Sequence, residues 1–444
     1  MSTIVQEFVR KHPKSAEAYQ RSKTIFPGGV THDTRYLTPF PLFITHASGS
    51  RKWDLDGNEY VDYVMGHGAL ILGHAHPSLV QAVTEQIRKG THLGGNTLEE
   101  IRWAEAIRRL IPSAQKVRFH SSGTEATMMA VRLARAYTGK KRLIKFADHF
   151  HGWSDALLPS AGTAPGGIPE ETWATVTVLP PNDLALVEKT IREKGDVAAV
   201  ILEPTGAHMG QYPVRPDFLR GLREVTTRYG VVLIFDEVVT GFRTAKNGAQ
   251  GRFGVLPDLT TLAKIVAGGL PGAAVVGKAE ILDMIQHRGD PDWDTRQRVG
   301  HPGTFNANPL SAVAGATCLE LLASQPINEH AERMAERLKR GIRALLQRME
   351  VPGCAFGVGA LVELTLGVPH DCPGDFCPLP LDQVKQATRP ALRQALRRAM
   401  LNNGADLMGG GRFILSGVHT EQDIEITLDA LERSLRALRA EGLV

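Results

Sequence analysis

The sequence predicts an α/β fold, and three observations carry that expectation. Val231-Val232-Leu233-Ile234-Phe235 is an unbroken apolar run ended by Asp236, the pattern of a parallel strand buried on both faces. Further short runs of this kind, at 143–146, 198–202 and 275–277, alternate with amphipathic stretches such as 218–229, as in a sheet crossed by helices. Forty-five glycines supply the tight turns that such alternation needs.

The length of 444 residues suits two or three structural units. Apolar content of 43% and charged content of 22% are ordinary for a soluble globular protein. A net charge of +4 is small for this size, and no basic block or aromatic–basic stripe favours nucleic acid. The start, Met1-Ser2-Thr3-Ile4-Val5-Gln6-Glu7-Phe8, lacks a cationic leader before an apolar core. No apolar run approaches the ~20 residues of a membrane helix. Four scattered cysteines (Cys318, Cys354, Cys372, Cys377) fit a reducing compartment. Cys372 and Cys377 lie in a Pro-rich loop without paired ligand spacing, so no metal is expected. These features predict a cytoplasmic protein with no membrane partner.

In chain order, residues 3–25 read as a polar, partly amphipathic helix. Strands are expected at 42–44, 51–55 and 60–63, with Asp56-Gly57 as a hairpin signal. A helix at 77–89 follows. His67, His74 and His76 lie in glycine-rich loops without a cysteine or carboxylate to complete a metal set, and read as local hydrogen-bonding groups. At 116–126 a short strand runs into Ser121-Ser122-Gly123-Thr124 and a helix to about 137. Hydroxyls and N–H groups at a helix start form an anion site suited to phosphate; a plain N-cap is the simpler reading. The Gly- and Pro-rich stretch 159–172 reads as a long binding loop. Helices are expected at 310–323, 327–349, 382–402 and 421–440, with strands at 361–366 and 412–416. The latter part reads as a second, smaller domain: 1–65 contributes to it, 66–325 forms the large domain, and 326–444 completes the small one.

The chemistry centres on two residues. Asp236 ends the buried run at a strand's carboxyl end, where α/β sheets bind ligands, and a buried carboxylate there needs a cationic partner. Lys264 stands just before the turn Ala267-Gly268-Gly269-Leu270-Pro271-Gly272. An acid for a pyridinium nitrogen and a lysine for a Schiff base are the protein groups that pyridoxal 5'-phosphate (PLP) requires. Phe150, after the strand at 143–146, offers a face for stacking on a planar ring, although an aromatic at such a place is by itself more often core.

Together the motifs resemble class III (fold type I) PLP-dependent aminotransferases, in the glutamate-1-semialdehyde 2,1-aminomutase-like branch. They are Gly28-Gly29-Val30 with Arg35, Asp54 with Asp56-Gly57, Gly73-His74-Ala75-His76-Pro77 and Ser122-Gly123-Thr124-Glu125-Ala126. Further on come His151-Gly152, Glu203-Pro204, Asp236-Glu237-Val238, Gly241-Phe242-Arg243, Lys264, Gly303-Thr304 and Asn308-Pro309. The resemblance implies a large domain with a mostly parallel seven-stranded sheet and a smaller α+β domain built from both termini. It implies that Lys264 carries the cofactor and shuttles a proton, Asp236 pairs with the pyridine nitrogen, and His151 is among the cofactor-binding residues. Val238 and Phe150 would flank the ring, the family usually having Tyr at the latter position. Ser122, Gly123 and Thr124 would bind the phosphate. Thr304 would reach the phosphate of a neighbouring subunit's cofactor, implying a homodimer with active sites at its interface. Arg35 matches the arginine that binds the substrate carboxylate, a use suited to a guanidinium fork.

Three positions depart from the aminomutase pattern. Ser160 stands for its lysine, Gly411 for a glutamate near the C-terminus, and His208 for an asparagine. Arg412 resembles instead the second arginine of β-amino acid aminotransferases. The expected reaction is therefore amino-group transfer from a β-amino acid to a 2-oxo acid. Arg35 would take the donor carboxylate, and Arg412 the acceptor's or swing aside for apolar side chains. The alternative is the aminomutase reaction or another PLP isomerisation.

Overall fold

The computed structural model describes residues 2–158 and 166–444. The chain forms two compact units, Pro77–Asn328 and a second composed of the start to His76 together with Glu329–Val444.

The larger unit is built on a seven-stranded sheet. Its spatial order is Lys116–His120, Ala273–Gly277, Leu259–Leu262, Val232–Glu237, Val197–Leu202, Arg142–Phe146 and Val176–Leu179. Ala273–Gly277 runs antiparallel to both neighbours; the remaining pairs are parallel. The apolar run at 231–235 follows from burial on two sides. Val232 and Ile234 pack with Ala126, Ala130 and Leu133 of the helix Gly123–Thr138. Leu233 and Phe235 pack with Phe218, Leu219 and Leu222 of the helix Pro216–Arg228. Alternation along a strand thus feeds two cores. The helix Leu98–Leu110, absent from the expected elements, starts at a Thr97/Glu100 capping box and places Trp103 fully inside.

The smaller unit holds a four-stranded sheet, ordered Ile44–Ser48, Arg51–Asp54, Glu59–Asp62 and Ala405–Asp406, and a three-stranded one, ordered Gly353–Phe356, Leu361–Leu366 and Arg412–Ile414. Gly57, at φ +88°, makes the hairpin turn between Arg51–Asp54 and Glu59–Asp62. The two ends of the chain meet where Ile4 N–H donates to Glu441 Oε1 at 3.0 Å. Two expected helices are divided. Residues 3–25 form Thr3–Lys11 and Pro13–Lys23, and 382–402 forms Leu381–Ala387 and Pro390–Asn402. In each, proline opens the second helix, because it cannot donate an interior hydrogen bond and clashes with the preceding turn. The strand expected at 42–44 runs instead over Ile44–Ser48.

A buried charge network ties the ends of this unit together. Lys52 Nζ donates to Asp62 Oδ1 at 2.8 Å and Asp406 Oδ2 at 2.7 Å. His74 Nε2 lies 2.7 Å from Asp62 Oδ2. Burial opposes ionisation of Asp62, but Lys52 and His74 overrule it and hold the carboxyl well below the usual range. The three core members are under 10% exposed, so removing the cation strands two buried carboxylates. Lys52→Met should cost about 3–5 kcal/mol, read as a lower urea midpoint; a midpoint unchanged from the parent would show that the network contributes nothing.

Candidate active site

The strand Val232–Glu237 delivers Asp236 to the carboxyl end of the sheet, 4% exposed. Oδ1 accepts from Val238 N–H at 3.1 Å and from Thr261 Oγ1 at 3.2 Å. Thr261 is its register partner on the adjoining parallel strand. Oδ2 lies 2.7 Å from His151 Nδ1. Burial foremost lowers the His151 pKa, against the pull of Asp236, so the ring is neutral. An acceptor-only carboxylate then fixes the proton on Nδ1, and Nε2 is a buried lone pair without a partner among the described residues.

His151 is held by its own backbone. Its carbonyl accepts from Thr127 Oγ1 at 2.7 Å. Gly152, at φ +85°, lies so close to the start of the helix Gly123–Thr138 that a Cβ there would stand 2.5 Å from Thr124 Oγ1. At that helix start Ser122 is the N-cap, its hydroxyl accepting from Glu125 N–H, while Glu125 takes the N–H groups of Ser121 and Ser122 at 2.7 and 2.8 Å. The simple capping reading is therefore realised. It also leaves the Gly123 and Thr124 N–H groups with no acceptor among the described residues, which is the donor pair an anion needs. The methyls of Val238 would stand 3.1–3.2 Å from a Cβ at Gly123, so Val238 borders this corner.

Lys264 follows the strand Leu259–Leu262 in the left-handed region, at φ +55°. Trp103 Nε1 donates to Val266 O at 2.6 Å, and the indole stacks on Phe119 with ring centroids 4.1 Å apart; together they pin the turn that presents the lysine. Lys264 Nζ makes no hydrogen bond or ion pair among the described residues. Burial foremost lowers its pKa; Asp236 and Glu203 pull it up and Arg243 pushes it down. Arg243 is itself 1% exposed, and burial lowers its guanidinium to about 9.

Several members of this neighbourhood go unread in the sequence. Glu203, quoted only as part of a motif, accepts Phe150 N–H at 2.9 Å. Burial foremost, then Asp236, raises its pKa to about 8. Lys145, the one charge inside the run Leu143–Phe146, donates to Leu157 O at 2.6 Å, and burial lowers its amine to about 8. A lone cation inside an apolar strand was the available signal. His149 Nδ1 accepts Glu203 N–H at 3.0 Å.

Of the remaining predicted residues, Phe150 adjoins this cluster through its backbone, and Arg35, Arg412 and His67 belong to the other unit. Phe150 is 58% exposed. Thr304 is exposed, its carbonyl accepting from His92 Nε2 at 2.6 Å. Arg35, exposed in the smaller unit, donates to Thr31 Oγ1 at 2.9 Å. Arg412 Nε stands 3.9 Å from Glu363 Oε2, and Glu363 also pairs with Arg393. His67 Nε2 is 2.9 Å from Thr34 Oγ1. Ser160 lies outside the described residues.

The donor set fits PLP: an unpartnered amine, a buried carboxylate lacking a lysine or arginine in ion-pair reach among the described residues, free N–H groups at a helix start, and an orphaned imidazole nitrogen. Lys264, Asp236, Gly123, Thr124 and Ser122 would hold it. When bound, the cofactor supplies a ring that withdraws electrons from the substrate carbon losing its proton.

The family model "Aminotransferase class-III" matches residues 33–377. The glutamate-1-semialdehyde 2,1-aminomutase of Rhodopirellula baltica is 39% identical over 96% of this chain and 97% of its own length; others of that name share 37–38%. Among solved structures, an omega-transaminase from Sphaerobacter thermophilus superposes with a TM-score of 0.86 at 34% identity, covering 96% of this chain and 98% of that one. A β-phenylalanine aminotransferase from Variovorax paradoxus gives 0.84 at 30%, covering 98% and 97%. The chain belongs to the class-III aminotransferases. It is a PLP-dependent enzyme with the α/β fold expected of that family.

Glu203 offers a test of the site's electrostatics. An acid raised from 4.5 to about 8 on folding is favoured neutral by the native state. Its contribution is full below about pH 4.5 and is lost as pH climbs through 8. Glu203→Gln should therefore flatten the decline of the urea midpoint across that window; curves of equal slope for parent and variant would refute the assignment.

Proposed function

We propose that this enzyme moves the amino group of a small carboxylate-bearing amine, and that the 2,1-aminomutase reaction on glutamate-1-semialdehyde is its first reading. The full-length relatives of that name carry this reading. Lys264 Nζ is the group that takes the proton from the substrate carbon and returns it two atoms away, and burial, by lowering its pKa, favours the neutral amine that this requires. Asp236 holds positive charge on the cofactor ring nitrogen, with His151 and Thr261 fixing its orientation. Gly123 and Thr124 N–H, with Ser122, receive the phosphate, while Val238 and Phe150 border the ring. Arg35, which has no carboxylate partner among the described residues, receives the substrate carboxylate.

The second reading, transfer from a β-amino acid to a 2-oxo acid, was the first expectation from sequence, and one local feature favours it. A Cβ at Gly411 would lie 3.1 Å from the Arg393 guanidinium and 3.1 Å from Leu364 O. The glutamate that the aminomutase pattern calls for at this position would need Arg393 to move. In this reading Arg412 leaves Glu363 to take the carboxylate of the acceptor.

The assay separates the two. Purified enzyme is mixed with a β-amino acid without acceptor and followed by absorbance. Loss of the yellow cofactor band, restored by pyruvate or 2-oxoglutarate, establishes transamination. Silence there, with conversion of glutamate-1-semialdehyde to 5-aminolevulinate without added oxo acid, establishes the aminomutase. In either reaction Arg35→Ala should raise KM about 10–100-fold, the worth of a charged hydrogen-bonded pair, with the cofactor retained; an unaltered KM refutes its role.

We also infer a homodimer. Val80, Ile87, Leu98 and Ile101, on the helices Pro77–Lys89 and Leu98–Leu110, are more than half exposed in the single chain, as are Leu93 and Phe305. Phe305 adjoins Thr304 and stands edge-on to His92, with centroids 5.7 Å apart. This apolar surface calls for a cover. Leu98→Asp with Ile101→Asp should shift the mass measured by light scattering from two chains toward one; a parent protein of single-chain mass removes the inference.

A further inference from the structure

The smaller unit contains a second constellation that amino-group chemistry does not use. One ligand atom each from Cys354, His370 and Cys372 lies within 4.8 Å of the other two. Cys377 follows in the same segment and is close enough to Cys372 and His370 to act on both electrostatically. All three cysteines are under 10% exposed. We propose that Cys354, His370, Cys372 and Cys377 form a structural zinc site of three thiolates and one imidazole.

The ligands come from two strands' surroundings. Cys354 sits on Gly353–Phe356, opposite Thr365 of Leu361–Leu366. The other three follow that second strand in the segment 367–380, which contains neither helix nor strand. Cys372 and Cys377 by themselves lack metal spacing, which is why the sequence predicts no site; Cys354 and His370 complete the set only in the fold. A segment of this length without regular structure needs another means of order. It is fastened at Asp375, which pairs with Lys339 at 3.3 Å and whose carbonyl accepts Gly357 N–H at 3.0 Å.

The histidine is oriented for coordination. His370 Nδ1 lies 2.9 Å from Val368 O, a contact that requires the proton on Nδ1. Nε2 then carries the lone pair. Thr365 Oγ1 lies 3.2 Å from it, and a backbone carbonyl on the far nitrogen is the usual outer partner of a metal-bound imidazole.

The chemistry of the donors selects the ion. Soft thiolates with an imidazole in a four-ligand set match zinc. Zinc–sulfur bonds of about 2.3 Å place tetrahedral sulfurs about 3.8 Å apart, so Cys354 and Cys372, within 4.8 Å of each other, need close by about 1 Å at most. Three thiolates and a divalent ion leave one negative charge, and Arg343 lies beside Cys354 to offset it. Packing of thiols as small apolar groups does not account for an imidazole and three sulfurs converging.

The test is metal content and cobalt spectroscopy on the full-length holoenzyme, prepared without chelator under reducing conditions. Plasma mass spectrometry should find about one zinc per chain, kept by Cys318→Ser and lost by Cys372→Ser and Cys377→Ser. Exchange of zinc for cobalt should give tetrahedral d–d bands in the red, clear of the cofactor's absorption. If the serine variants fail to fold, the cobalt spectrum of the unaltered enzyme decides. Absence of bound zinc together with absence of tetrahedral cobalt bands after loading overturns the proposal, as does a Cys354–Cys372 or Cys372–Cys377 disulfide found by mass spectrometry in the reduced preparation.

Discussion

A negative charge placed inside the molecule organises the larger unit. Asp236 is 4% exposed, and its nearest titratable contact, His151, is neutral. Hydrogen bonds from Val238, Thr261 and His151 orient the carboxylate without cancelling its charge, and desolvating such an ion costs several kcal/mol. The surrounding architecture serves that placement. Two parallel strands in register bring Thr261 alongside, and a turn closed by glycine against a helix start fixes the imidazole. The deficit is what a protonated ring nitrogen would supply, so the empty electrostatic requirement and the cofactor are complementary.

Lys264 is governed by a different constraint. Its side chain forms no hydrogen bond or ion pair among the described residues; its position is set by backbone. A non-glycine residue in the left-handed region costs roughly 1–3 kcal/mol, and here the cost falls on a turn held by Trp103 from beneath. The amine is thus aimed by the main chain and free at its tip.

Much of this was legible because it is local. The run at 231–235, the capping sequence at 122–125 and the lysine before a glycine turn each announce themselves through period, cap chemistry or turn residues. Failures came where a single residue overrode a pattern, as Pro13 and Pro390 did in dividing expected helices. The helix at 98–110 had a readable signal in its Thr97/Glu100 box, overlooked for want of a clean apolar stripe. Glu203, Lys145 and His149 escaped for another reason. Their importance lies in mutual burial across separate strands, and no spacing along the chain encodes that. Cys354 and His370 are invisible to spacing arguments for the same reason.

The distribution of residues between the two units carries a consequence for how such an enzyme can change. Every group that fits the cofactor, from Ser122 to Lys264, belongs to Pro77–Asn328, whereas Arg35, Gly411 and Arg412 belong to the unit made from the two chain ends. On the proposed substrate roles of Arg35 and Arg412, a duplicated gene could explore new amines by altering residues before 77 or after 328 while every residue from Ser122 to Lys264 is kept. Exchange of those terminal segments between relatives would be the corresponding route in the laboratory, with the middle of the chain inherited whole.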